Sequence, residues 1–174
     1  MKKVFDSKVQ PGELAFRDRY RHAWGEEGET FSLFSVLPEQ GDLDVLAVEI
    51  ASKPYLVDRT TLQETIFVSR KSLQVFPSDE ENIFLSQLRG RPLPVLYLGD
   101  LLELNAELPE SGSLLIWKSR RELLAVMVDK LLEPKTIDLS KIDRSSSAGQ
   151  GIVGSLEDGE SLVDLRILEL QEIC

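Results

Sequence analysis

What most constrains this chain is that its apolar residues come in short runs cut by turn residues. Thr30 to Val36, Asp44 to Ile50, Tyr55 to Val57, Pro94 to Leu98, Ser113 to Lys118, Leu123 to Asp129 and Ile152 to Leu156 are strand-length pieces, alternating or continuously apolar. Gly41-Asp42, Ser52-Lys53-Pro54, Ser111-Gly112, Ser119-Arg120-Arg121 and Asp158-Gly159 separate them with residues that bend the backbone at low cost. Asp158-Gly159, lying between two apolar runs, predicts a hairpin turn. Several hairpins at close spacing predict an all-β body, a barrel or a sandwich. Helical spacing is confined to short pieces: Gly99 to Leu104, Thr60 to Thr65 and Leu165 to Ile173.

A chain of 174 residues, 42% of them hydrophobic, can bury a real core as one domain or two small ones. Its longest apolar runs, such as Leu123 to Val128, are far shorter than the roughly 20 residues of a spanning helix. No apolar secretion stretch follows Met1-Lys2-Lys3, so the cytoplasm is the expected compartment. The net charge of −10 repels nucleic acid and anionic lipid alike, which argues against both as partners. That acidity sits in the body: residues 1–40 carry a net −1 and residues 41–174 a net −9.

The chain divides accordingly into an N-terminal extension, residues 1–40, and a body, residues 41–174. Pro11-Gly12, Gly25 and Gly28 bracket Glu13 to Trp24, where Phe16, Tyr20 and Trp24 recur every fourth residue and so share one face of an amphipathic helix. That face could dock on the protein's own body or on a partner. The segment Asp138 to Gln150, rich in serine, is expected to be an exposed, mobile loop.

The residues offer little chemistry. One histidine, His22, and one cysteine, Cys174, the last residue, leave no catalytic triad, disulfide or cysteine zinc site to draw. Gly149, Gly151 and Gly154 spell G-x-G-x-x-G, but that pattern cradles a pyrophosphate only between a strand and a following helix, and here it leads from a polar loop into a strand. The acidic runs Asp79-Glu80-Glu81 and Glu26-Glu27-x-Glu29 lack the ligand spacing of a calcium loop and read as solvated surface. No cofactor, metal or enzymatic activity is therefore expected.

Three stretches in fixed order carry a resemblance. Val45-Leu46-Ala47-Val48-Glu49-Ile50, then Tyr55-Leu56-Val57-Asp58 and Leu62-Gln63-Glu64, form the first. Gln87-Leu88-Arg89-Gly90-Arg91-Pro92-Leu93-Pro94-Val95-Leu96-Tyr97-Leu98 with Leu101-Leu102 resembles an N-L-R-G-x-x-x-P-V-x-D-L signature. Leu123 to Leu132 resembles a V-D-x-V-L strand, and Gly151-Ile152-Val153-Gly154, Asp158-Gly159 and Leu162-Val163-Asp164-Leu165 a closing hairpin and helix start. Together, over about residues 42 to 172, they resemble the CheW family of bacterial chemosensory adaptors, whose domain also ends the CheA histidine kinase.

The resemblance implies two intertwined five-stranded β-barrels of the SH3-like kind with a few short helices. It also implies a non-catalytic adaptor that couples the regulatory domain of a CheA-like histidine kinase to a chemoreceptor or related sensor. The family's arginine and glutamate map to Arg89 and Glu64, which would pair where the barrels join; beside them Leu62, Phe84, Gly90, Val95, Tyr97 and Leu98 are candidate partner contacts. Phe84 stands where the family has glycine, Gln87 where it has asparagine and Tyr97 where it has aspartate, so receptor docking is where this chain departs most. The residues also admit two other readings. One is a CheW-like protein without receptor binding that serves another output, such as pilus motility. The other is a small-ligand β-barrel whose Arg89, Arg91 and Glu64 grip a carboxylate.

Overall fold

The computed structural model describes residues 37–38, 40–77, 82–118, 123–146 and 151–165. In chain order the strands are β1 (Asp42–Ile50), β2 (Lys53–Asp58), β3 (Leu62–Ser69), β4 (Gln74–Phe76), β5 (Ile83–Leu88), β6 (Arg91–Tyr97), β7 (Ser111–Lys118), β8 (Leu123–Val128), β9 (Lys130–Asp138), β10 (Ile152–Ser155) and β11 (Ser161–Val163). One helix of four residues, α1 (Leu98–Leu101), follows β6. The expected helix at 13–24, the strand at 30–36 and the terminal helix beyond Leu165 lie outside the described residues.

Two sheets result. The first runs β10-β11-β2-β1-β9 and the second β3-β7-β8-β6-β5-β4. Among the described residues the path starts in the first sheet, builds all of the second, and returns to complete the first, so the two barrels are intertwined. The first sheet has the five strands the resemblance implies; the second adds β4, three residues paired to the start of β5. The first sheet also curls shut. Beyond β9, Asp143 and Ser155 of β10 exchange both backbone hydrogen bonds, at 2.9 and 3.1 Å, and Lys135 of β9 pairs with Glu160 just before β11.

Why β1 is apolar almost without interruption is visible in what its two faces touch. Leu43, Val45 and Ala47 join Leu56, Ile137, Leu139, Ile142, Val153 and Leu162 in a core inside the first barrel. Leu46, Val48 and Ile50 point the other way, with Tyr55 and Val57, into a larger core shared with Leu114, Ile116, Ala125 and Met127 of the second sheet. A strand buried on both faces loses the polar half of the usual alternation. The same shared core is what joins the sheets. Burying each of these side chains contributes roughly 1.5–3 kcal/mol.

Several expectations need correction. Thr60 to Thr65 is not a helix: the Asp58 carboxylate accepts the Thr60 N–H at 2.9 Å and closes one 3-10 turn, Arg59–Thr61, after which the chain runs straight into β3. Thr61, Thr65, Ile66 and Val68 are β-branched, and their stiff side chains favour the strand. The segment from Asp138 is not a free loop through its first half, because Leu139 and Ile142 are buried in the first core. Asp138 and Asp143 each fold the chain locally by accepting the N–H and hydroxyl of Ser140 and Ser145, which holds both carboxyls below their usual range. The Asp158-Gly159 hairpin forms as expected, with Gly159 at φ +87° between β10 and β11.

Candidate partner-binding site

The β5–β6 hairpin turns in two residues. Leu88 pairs with Arg91, and between them Arg89 and Gly90 have φ +50° and +77°, the two positive angles that a type I′ turn requires. Glycine takes such a conformation freely and arginine does not, so the backbone at Arg89 costs about 1–2 kcal/mol that the hairpin must offset. A Cβ at position 90 would meet no atom within 4 Å, so only the backbone angle selects glycine there. Gly90→Ala is expected to destabilise the protein by about 1–2 kcal/mol, read as a lower urea midpoint at unchanged slope.

Arg89 and Glu64 do meet. Arg89 Nη2 lies 3.4 Å from Glu64 Oε1, which brings the turn of one hairpin to the start of β3. The pair is not buried: the Arg89 side chain is 82% exposed and that of Glu64 34%. A long, solvated contact of this kind is worth well under about 1 kcal/mol. What the geometry supplies instead is a guanidinium held out into solvent on a rigid turn.

The other candidates fall into two groups. Leu62 and Phe84 are half-buried and pack against the larger core; Phe84, paired with Val95 on β6, turns its ring toward that core. Val95, Tyr97 and Leu98 are 7%, 4% and 0% exposed, so their side chains build the core and present no contact surface in this conformation. Alternation alone predicts burial for one face of β6; Leu98 is buried as well because α1 begins there.

Sequence reasoning missed a clasp between the sheets. Tyr97 Oη donates to Asp129 Oδ1 at 2.7 Å, and the other oxygen of the same carboxylate accepts the Ala51 N–H at 2.9 Å. Tyr97 ends β6 in the second sheet, whereas Ala51 sits in the β1–β2 turn of the first, at φ +49°. The Asp129 N–H in turn donates to the Glu49 carbonyl at 3.1 Å. Burial, then the bond to Asp129, pushes the Tyr97 phenol well above the ordinary tyrosine range, so it stays a donor. Gly99 completes the arrangement, since a Cβ there would stand 2.3 Å from the Tyr97 ring.

Of the glycine triplet, Gly149 lies outside the described residues, and Gly151, at φ +75°, immediately precedes β10. Gly154 lies within β10, where a Cβ would come to 2.5 Å from Ile142 Cγ2 and 2.6 Å from the Asp143 carbonyl oxygen. Its bareness serves the closing of the first barrel. No group of three or more His, Cys, Asp or Glu side chains gathers as a metal site among the described residues. No helix among them is long and apolar enough to cross a membrane.

A solved structure, the scaffolding protein TtCheW from Thermoanaerobacter tengcongensis, superposes with a TM-score of 0.59 at 17% identity, over 74% of this chain and 92% of that one. That likeness shows a shared fold. Comparison with curated proteins gives no match. The family model described as the CheW-like domain matches residues 44–173, from the third residue of β1 past the end of β11, and by that match the chain belongs to the CheW-like domain family.

Proposed function

We propose that the protein is a non-catalytic cytoplasmic scaffold of a chemosensory-type pathway, coupling the regulatory domain of a CheA-like histidine kinase to a chemoreceptor or related sensor. Membership of the CheW-like family supports this, as does the fold shared with the scaffolding protein TtCheW. The observation that carries it is Arg89. Its backbone is strained and its side chain is solvated, so the fold gains little from an arginine there, and strain kept without structural return points to function. Beside it, Leu62, Glu64 and Gly90 are the proposed contact residues. An interface of ordinary size needs only about 800 Å² from each partner.

Titration calorimetry of this protein with the regulatory domain of a CheA-like kinase from the same cell tests the reading. Saturable micromolar binding is expected. Arg89→Glu and Glu64→Arg should each weaken it at least tenfold, or about 1.4 kcal/mol, while leaving the urea midpoint nearly unchanged. Binding that ignores both substitutions would remove this turn from the interface, and no binding would send the function to another partner.

Phe84 favours a second reading of the receptor arm. A half-buried phenylalanine where the family has glycine changes the shape of β5, so a receptor's signalling tip should bind weakly while the kinase domain still binds. The same titration with a receptor fragment separates the two arms.

A further inference from the structure

The second sheet leaves apolar side chains in water on one short stretch of chain. Phe67 on β3, 75% exposed, and Val75 and Phe76 on β4, 48% and 44% exposed, lie on the two edge strands of that sheet. Between them the 3-10 turn Arg70–Ser72 carries two exposed basic residues, Arg70 and Lys71, with the Arg70 guanidinium steadied by the Leu108 carbonyl at 3.3 Å. Free edges bearing large apolar groups are ordinarily covered. On a chain of net charge −10, two cations set between exposed apolar side chains favour an acidic, apolar occupant.

We infer that the occupant is the chain's own N-terminal extension, whose Phe16, Tyr20 and Trp24 cover Phe67, Val75 and Phe76 while Glu26, Glu27 and Glu29 face Arg70 and Lys71. The pattern matches on both counts: three aromatics at helical spacing, followed directly by three acids. Reach is sufficient. The described chain begins at Leu37, anchored in the first core, with the Pro38 carbonyl accepting from Arg144 Nη2. The residues from 25 to 36 span up to about 40 Å when extended, comparable to the diameter of a domain this size. An attached segment acts at an effective concentration near millimolar, whereas a second copy would bring another ten negative charges against this one. The proposed contact uses none of the residues of the Arg89 turn.

The two tryptophans make the test direct. Trp117 is buried in β7, and Trp24 lies in the extension, so the difference between the full chain and its Trp24→Phe variant isolates Trp24 emission. Acrylamide quenching of that emission is expected to be several-fold weaker than for free tryptophan, independent of protein concentration. It should rise several-fold in Phe67→Asp/Phe76→Asp and, more modestly, in Arg70→Glu/Lys71→Glu. All four positions are exposed, and circular dichroism checks that each variant keeps its sheets. Full quenching of Trp24 in the unaltered chain would overturn the proposal. So would shielding that the patch variants leave intact, and shielding that grows with protein concentration would assign the patch to a second copy instead.

Discussion

Asp129→Ala is expected to cost about 2–4 kcal/mol, more than any single charge on the surface. It strands the Tyr97 hydroxyl in the core, at about 1–3 kcal/mol for a buried donor without a partner, and removes a hydrogen bond from the Ala51 N–H that water can partly replace. Tyr97→Phe should cost less, because the Asp129 carboxylate keeps Ala51 and reaches solvent. Urea unfolding of the three proteins measures the difference, and a loss under about 1 kcal/mol in Asp129→Ala would mean that the shared core alone holds the sheets together. A pH series supplies a second check. The folded phenol is raised above the roughly pH 10 at which an unfolded tyrosine ionises, so its contribution is complete below about pH 10 and falls as pH climbs toward the folded value. Tyr55 is raised by burial in the same direction, so Tyr97→Phe should flatten the alkaline slope without abolishing it.

Gly154→Ala is the second large effect. The added methyl would overlap the Asp143 carbonyl at 2.6 Å and Ile142 Cγ2 at 2.5 Å, and relief requires moving the backbone that bonds Ser155. Overpacking of this kind costs about 1–3 kcal/mol, and the loss of the Asp143–Ser155 bonds would add about 1 kcal/mol more. A stability loss of about 2–4 kcal/mol with faster amide exchange at Asp143 and Ser155 is therefore expected. Unchanged stability would show that the segment after β9 yields freely and does not close the barrel.

How much of this was legible in the sequence depended on burial. β1, β6, β7, β8 and β10 announce themselves because they are packed on one or both faces, and their apolar residues leave little choice. β3 is an edge strand with Gln63, Thr65 and Phe67 exposed, so no continuous apolar run marks it, and its β-branched residues reach their strand through the pairing with β7. β9 hides for a related reason: Pro134 and its charged neighbours read as loop, yet β1 supplies the partner strand, with a bulge between Leu46 and Val48. At the site, the Glu64–Arg89 pair was legible through family resemblance alone, since 25 residues separate them. The Tyr97–Asp129–Ala51 clasp was not, because it joins residues up to 78 apart through geometry that no local pattern encodes.

The out-and-back path of the chain also dictates an order of assembly. During synthesis β1 and β2 emerge first, apolar on both faces, and must wait while some seventy further residues are made before β9 arrives to pair with β1. The second sheet, by contrast, has all its strands within one continuous stretch and can form as soon as β8 leaves the ribosome. Closing the long loop from Asp42 to Asp138 is then the slow, non-local event, and until it happens the β1–β2 hairpin rests on the finished second sheet through Val48, Ile50, Tyr55 and Val57. A nascent chain stalled with β8 outside the ribosome and β9 still within it should thus protect the second sheet from protease while leaving the inner face of β1 open to chaperones.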